Sequence, residues 1–148
     1  MNSTVTLREV TRENLIAVLT LEVAETQKDL IASNAVSIAQ AHFYPETSWF
    51  RAIYADETPV GFVMLEDEPA KASYTLWRFM IDERFQKQGF GRRALALVVE
   101  HVRTRPGAKV LMTSCIDKPG SAQPFYEKFG FIPNGEKEGD ELIMRYAL

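Results

Sequence analysis

Apolar and polar residues alternate from Thr4 to Val10, with Val5 and Leu7 on one side, and predict a strand with one buried face. Thr11 can cap the segment that follows, where Leu15, Val18, Leu19 and Leu21 recur at helical spacing. A second helix is expected over Val36 to Ala41, stopping before Pro45. Trp49 to Tyr54 and Val60 to Leu65 read as two strands joined by the turn Asp56-Glu57-Thr58-Pro59. Ser73 to Ile81, rich in aromatic and β-branched residues, is a further strand. Apolar Ala94, Leu95, Val98 and Val102 then mark an amphipathic helix that continues the face of Gly91. Lys109 to Cys115 predicts a strand, Ser121 to Lys128 a short helix stopped by Gly130, and Glu141 to Tyr146 a closing strand. The order β, α-α, β-β-β, α, β, α, β predicts an α+β sandwich on one mixed, largely antiparallel sheet flanked by helices, in which the strands beside the main helix can run parallel.

Length narrows this to one unit. The 148 residues contain no repeat, low-complexity tract or linker-like stretch, so a single domain over 1–148 is expected. Apolar residues at 46% and charged ones at 25% are ordinary for a globular chain and exclude a disordered one. The net charge of -3 argues against general nucleic-acid binding, which needs a clustered basic excess, and is compatible with a cationic partner. Cys115 is the single cysteine, and His42 and His101 lack ligand spacing, so neither an internal disulfide nor a metal site is expected. No apolar run approaches the ~18 residues of a membrane span. The start, Met1 to Glu9, lacks the basic and apolar regions of a signal peptide, which makes a cytoplasmic protein with no membrane partner the expectation.

The stretch Arg84-Phe85-Gln86-Lys87-Gln88-Gly89-Phe90-Gly91-Arg92-Arg93 follows a strand and opens the main helix. Its glycines let backbone N–H groups approach an anion, and the helix start adds unpaired donors and partial positive charge. Lys87, Arg92 and Arg93 have the same sign, and a pyrophosphate is the predicted ligand. Three phosphate loops compete for this stretch. A nucleotide-hydrolysing P-loop needs Lys after its second glycine, where Arg92 stands. A dinucleotide fingerprint is formally present in Gly89-Phe90-Gly91-Arg92-Arg93-Ala94, with Asp117 beyond the next strand. The approach from Glu83 to Gln88 is too long for that fingerprint's tight turn, and too little chain follows for a second half.

The third is Gln/Arg-x-x-Gly-x-Gly/Ala, present as Gln86-Lys87-Gln88-Gly89-Phe90-Gly91. With it come Trp77-Arg78-Phe79-Met80-Ile81-Asp82 on the preceding strand and Pro124-Phe125-Tyr126-Glu127-Lys128-Phe129-Gly130-Phe131 near the C-terminus. In these motifs, their separation and the element order, the chain resembles the GNAT superfamily of N-acetyltransferases. The stretches Leu21 to Gln27, Ala32 to Ser37 and Arg78 to Gln86 resemble the bacterial spermine/spermidine type within it.

The resemblance implies acetyl-CoA as cosubstrate and direct transfer to a primary amine of a small polycation. It also implies that strand Phe79, Met80 and Ile81 pairs with the pantetheine and points a backbone N–H at the thioester oxygen, with Met80 and Ile81 the favoured positions. Gln86, Lys87, Gln88, Gly89, Phe90, Gly91 and Arg92 would hold the diphosphate, joined by Ser121 and by Lys128 toward the 3′-phosphate. Tyr126 matches the frequent general acid, against the alternative of an aromatic packed beside Phe125 and Phe129. Cys115 has no paired histidine and reads as core. Where many relatives carry Asn, seven residues before the tyrosine, this chain has Pro119. Glu22, Glu25 and Asp29 would share one face if their segment is helical and would line the acceptor groove. Glu66, Asp67 and Glu68 form a second acidic cluster at a strand end, and Trp77 offers a cation–π face or a buried strand residue. A homodimer is compatible with the resemblance. Other acceptors (a protein N-terminus, a lysine, an antibiotic amine) and a non-catalytic acyl-CoA sensor remain alternatives.

Overall fold

A computed structural model describes residues 3–148; the first two positions of the start read above lie outside the described residues. The strands are β1 (Val5–Arg8), β2 (Ser48–Ala55), β3 (Thr58–Glu68), β4 (Ser73–Ile81), β5 (Val110–Ile116), β6 (Ile132–Glu138) and β7 (Glu141–Ala147). The helices are α1 (Leu15–Leu19), α2 (Asn34–His42), α3 (Phe90–Arg103) and α4 (Gln123–Phe129). All seven strands form one sheet, ordered β1-β2-β3-β4-β5-β7-β6. Every neighbouring pair is antiparallel except β4 and β5, which run parallel. The crossover between those two is α3, as a parallel connection requires.

Each face of the sheet closes its own core. Val63 and Leu65 of β3 point to α3, where Ala94, Leu95, Val98, Val99 and Val102 are buried, and that core continues to Leu111, Tyr126, Phe131 and Met144. Phe62 and Met64, the alternate residues of β3, point to the opposite face with Val18, Leu21 and Ala41. Period-2 alternation on the strand and 3.6-residue spacing on the helix account for both cores. A buried aliphatic side chain of this kind contributes about 1.5–3 kcal/mol.

Two expectations are corrected here. The helix read through Leu21 ends at Leu19, and the condition set for Glu22, Glu25 and Asp29 to share a face is not met, since only a single 3-10 turn, Glu25–Gln27, follows before α2. A seventh strand, β6, is present where the sequence predicted none. Its seven residues are all exposed, so no apolar alternation marks it.

Candidate active site

The site begins where the sheet opens. β4 and β5 are in register at only two positions, Thr75 with Met112 and Leu76 with Thr113. Beyond them β4 runs on to Ile81 and β5 to Ile116 without pairing, and a wedge separates the strands. A bulge steers β4 away: opposite β3, Met64 faces Arg78 while Leu65 faces Leu76, so Trp77 is the extra residue. The bulge also reverses the alternation. Tyr74 and Leu76 point to the α3 side before it, Phe79 and Ile81 after it.

The wedge is the narrow part of a cleft of ≈ 1230 Å³, walled by Trp77 to Ile81 on one side and Thr113 to Ile116 on the other. Asp82 N–H donates to Val60 O at 2.8 Å. Antiparallel alternation then turns the Met80 amide toward Phe62 and leaves the amides of Phe79 and Ile81 facing the wedge. The backbone donors expected at Met80 and Ile81 are therefore those of Phe79 and Ile81. The Met80 side chain still lines the cleft.

At one mouth lies the start of α3. Lys87 (φ 64°) and Gly89 (φ 83°) both take left-handed backbone conformations, and successive turns of this kind gather N–H groups into a concave cradle. No side chain caps the helix, and its first internal bond is Arg93 N–H to Gly89 O at 3.2 Å. The amides of Phe90, Gly91 and Arg92 thus precede the hydrogen-bonded turns and are free for an anion. A Cβ on Gly91 would sit 3.4 Å from the Phe125 ring, at van der Waals contact, so the start of α3 packs directly on α4. Lys87, Gly89, Phe90, Gly91 and Arg92 line the cleft, as do Gly120, Ser121 and Lys128 across it.

Other expected members are placed differently. Gln88 is exposed and outside the cleft wall. The Gln86 carboxamide lines the cleft but is engaged within the protein, donating to Ile81 O at 2.9 Å and Gln27 Oε1 at 3.0 Å. Arg93 turns to the Ser3 carbonyl. The Ser121 hydroxyl accepts from the Gln123 N–H at 3.3 Å.

Midway along the cleft, Tyr126 is buried among Phe125, Phe131, Thr113 and Cys115. Burial drives its phenol well above the ordinary tyrosine range, against a smaller opposing effect of the Thr113 hydroxyl. Cys115 is also held protonated by burial, and its sulfur lies 3.7 Å from the Met144 sulfur. No histidine is beside it: His101 stacks on Trp49 at 4.3 Å, and His42 belongs to α2.

The second mouth is on the α1–α2 side of the sheet, beside the β6–β7 hairpin, whose Glu141 lies opposite Ile116 on the face away from α3. Asp29, Glu66, Glu138 and Glu141 line it together with Trp77 and Arg78. Glu22 and Glu25 do not line it: Glu25 pairs with Lys28 at 3.0 Å across the 3-10 turn, and Glu22 approaches the same lysine at 3.6 Å. Trp77 is half-buried, with Tyr44 at its edge (6.3 Å) and the Arg78 guanidinium 5.2 Å from its ring centre. Burial lowers the Arg78 pKa, while Glu141 acts in the opposite sense. Glu138, Glu141 and Arg78 were not singled out from sequence. Glu138 belongs to β6, which carries no apolar signal; Glu141 opens the predicted closing strand, and its place beside Glu138 shows only once β6 and β7 are paired; Arg78 is brought in by the bulge.

A family model described as "Acetyltransferase (GNAT) family" matches residues 12–131, and the chain belongs to that family. A spermine/spermidine N(1)-acetyltransferase of Bacillus subtilis is 28% identical over 95% of this chain and 97% of its own length. A peptidyl-lysine N-acetyltransferase of Salmonella typhimurium is 31% identical over 92% of this chain and 87% of its own. In fold, the chain is similar to the spermidine N-acetyltransferase of Vibrio cholerae solved with CoA and spermine (TM-score 0.74, 18% identity, 97% of this chain and 95% of that one). The protein is an N-acetyltransferase with acetyl-CoA as its cosubstrate. The cradle and the wedge fit that molecule: free amides and cations for a diphosphate, then a slot edged by strand amides for the pantetheine. Among the described residues no helix is long and apolar enough to cross a membrane.

Proposed function

We propose that this chain acetylates a primary amine of a small polycation of the spermidine or spermine kind, by direct attack on the thioester. The supporting observation is a single cleft with two unlike mouths, one of free amides with Lys87 and Arg92, the other of Asp29, Glu66, Glu138 and Glu141 around Trp77. Anion and polycation are thereby drawn to opposite ends of one slot. The amides of Phe79 and Ile81 edge the slot and hold the pantetheine and the thioester oxygen, where negative charge develops as the amine adds. Lys87, Gly89, Phe90, Gly91 and Arg92 hold the diphosphate, with Ser121 and Lys128 on the facing side.

Tyr126 supplies the proton that the departing thiolate takes. Its burial keeps the phenol protonated, and the same apolar surroundings raise the basicity of a thiolate formed beside it. Phe at this position keeps the ring packing and removes only the donor. Tyr126→Phe is expected to lower kcat by about 10²–10⁴-fold while calorimetry gives an unchanged affinity for CoA. A non-catalytic sensor would have no rate to lose, and an unaffected rate would remove Tyr126 from this role.

A lysine side chain in a protein is the second reading, favoured by the relative that is 31% identical. Thiol release measured with spermidine, spermine, lysine peptides and an aminoglycoside separates the two. The polyamine reading expects the highest kcat/KM with spermidine or spermine, and turnover confined to the peptides overturns it.

A further inference from the structure

Direct transfer requires that the acceptor nitrogen lose its proton, because an aliphatic ammonium has no lone pair and a pKa of about 10.4. Sequence alone fixes no residue for that task. Ser48 of β2, Glu66 of β3 and Thr75 of β4 lie directly opposite one another, in one row across three strands. Phe50, Phe62 and Met64 place the row on the α1–α2 side of the sheet, away from α3. Thr75 is in turn the partner of Met112, one residue before the last β4–β5 pair, so Glu66 and Thr75 lie beside the apex of the wedge, and the row continues through Met112 to the exposed Arg145 of β7. Glu66 and Thr75 line the cleft, and the Ser48 hydroxyl is buried with no hydrogen-bond partner among the described residues.

We propose that Glu66 is the general base of the transfer, flanked by the Ser48 and Thr75 hydroxyls and steadied by Glu68. This deepens the acetyltransferase reading above and rests on it. The Glu66 carboxylate takes one proton from the ammonium, directly or through one water, and the freed lone pair forms the N–C bond. The C–S bond then breaks, its electron pair leaves on sulfur, and Tyr126 protonates the thiolate. The nitrogen's second proton restores Tyr126, and Glu66 releases its own to solvent. Amide, free thiol and one proton are the products, so charge and atoms balance.

The surroundings suit a base. The hydrogen bond shared with Glu68 and then burial raise the Glu66 pKa, while Lys71 opposes them. Glu68 is pushed the other way and pairs with Lys71 at 3.1 Å. Arg78 of β4, Glu138 of β6, Glu141 of β7 and Asp29 from the α1–α2 connection are the charged groups further along this wall. Asp67, between the two glutamates, points to the other face and pairs with Arg105 at 3.0 Å.

The test is the pH profile of kcat with spermidine for the wild type, Glu66→Gln and Glu68→Gln, with CoA affinity measured alongside. Glu66→Gln is expected to lower kcat by about 10²-fold or more at pH 7, to abolish the acidic limb, and to leave CoA affinity within about twofold. Glu68→Gln removes a like charge, so the acidic limb is expected to move to lower pH. If Glu66→Gln keeps its rate within about twofold and retains the limb, the assignment is overturned. If Glu66→Gln loses CoA binding as well, Glu68→Gln decides, and an unmoved limb overturns it. A wild-type chain that acetylates no amine overturns the underlying reading instead, and that outcome is visible before any variant is made.

Discussion

Asp82 ties together the two segments that build the cleft's mouths. Its buried carboxylate accepts from the Arg84 N–H and the Arg84 guanidinium, both at 2.9 Å, and from the Glu22 N–H at 2.9 Å. One side chain therefore fixes the end of β4, the turn leading to the start of α3, and the connection after α1. Burial alone would raise its pKa, but the hydrogen bonds from Arg84 and Glu22 outweigh it and the net shift is downward. A carboxyl whose folded pKa is depressed adds stability above its unfolded pKa and loses it as pH falls through the folded value. Asp82→Asn is expected to cost about 1.5–3 kcal/mol near neutral pH, read from urea denaturation. The gap between variant and wild type should narrow steadily as pH falls below the ordinary carboxylate range. A gap independent of pH would mean that the shape of the side chain matters, not its charge.

Among the elements, β3 and β4 set the position of the strand amides, and Gly61 sets how closely these strands approach. A Cβ there would lie 2.3 Å from the Met80 carbonyl oxygen and 2.9 Å from Ile81 Cδ1, so β4 must move to admit it. Gly61→Ala is expected to destabilise the fold by about 1–3 kcal/mol and to reduce kcat more than CoA affinity, since the cradle at α3 is built separately. Thermal denaturation with calorimetry on the same sample checks both. The sequence exposed these strands and α3 plainly, because their alternating or 3.6-residue patterns are long and end in recognisable turns. It did not expose the bulge at Trp77, which obeys no residue preference and shows only once β3 and β4 are aligned. Ile132–Glu138 escaped for a different reason: a fully exposed edge strand has no buried face to write into its pattern. The acidic residues near position 25 misled because helical spacing places side chains on one face only if an α-helix forms, and here a single 3-10 turn gives Glu25 to Lys28, with Glu22 beside the same lysine. The glycine turn that opens α3 was legible because it is local in sequence. The acidic wall of the cleft was not, because it is assembled from β3, β4, the β6–β7 hairpin and the connection between α1 and α2.

For the whole molecule, the wedge divides one sheet into two unequal halves, β1 to β4 and β5-β7-β6, joined along the sheet by two registered residue pairs. The α3-side core crosses that seam and holds the halves in place, but the strand edges within the wedge have no ladder partner. Acetyl-CoA or CoA laid into it would bridge the halves and occupy the free amides at the start of α3. Ligand at 100 times its Kd adds about 2.7 kcal/mol of stability, which for a chain of this size raises Tm by about 5–10 °C. The same binding should slow hydrogen exchange selectively, at the amides of Phe79 and Ile81 and at those of residues 87–92, because these are the donors that gain partners. The amides pairing β2 with β3 are already bonded in the free protein, and their exchange should slow only as far as global stability rises. Protection confined to β6 and β7, with residues 79–92 unchanged, would place the cosubstrate outside the wedge and remove the physical basis for its two mouths.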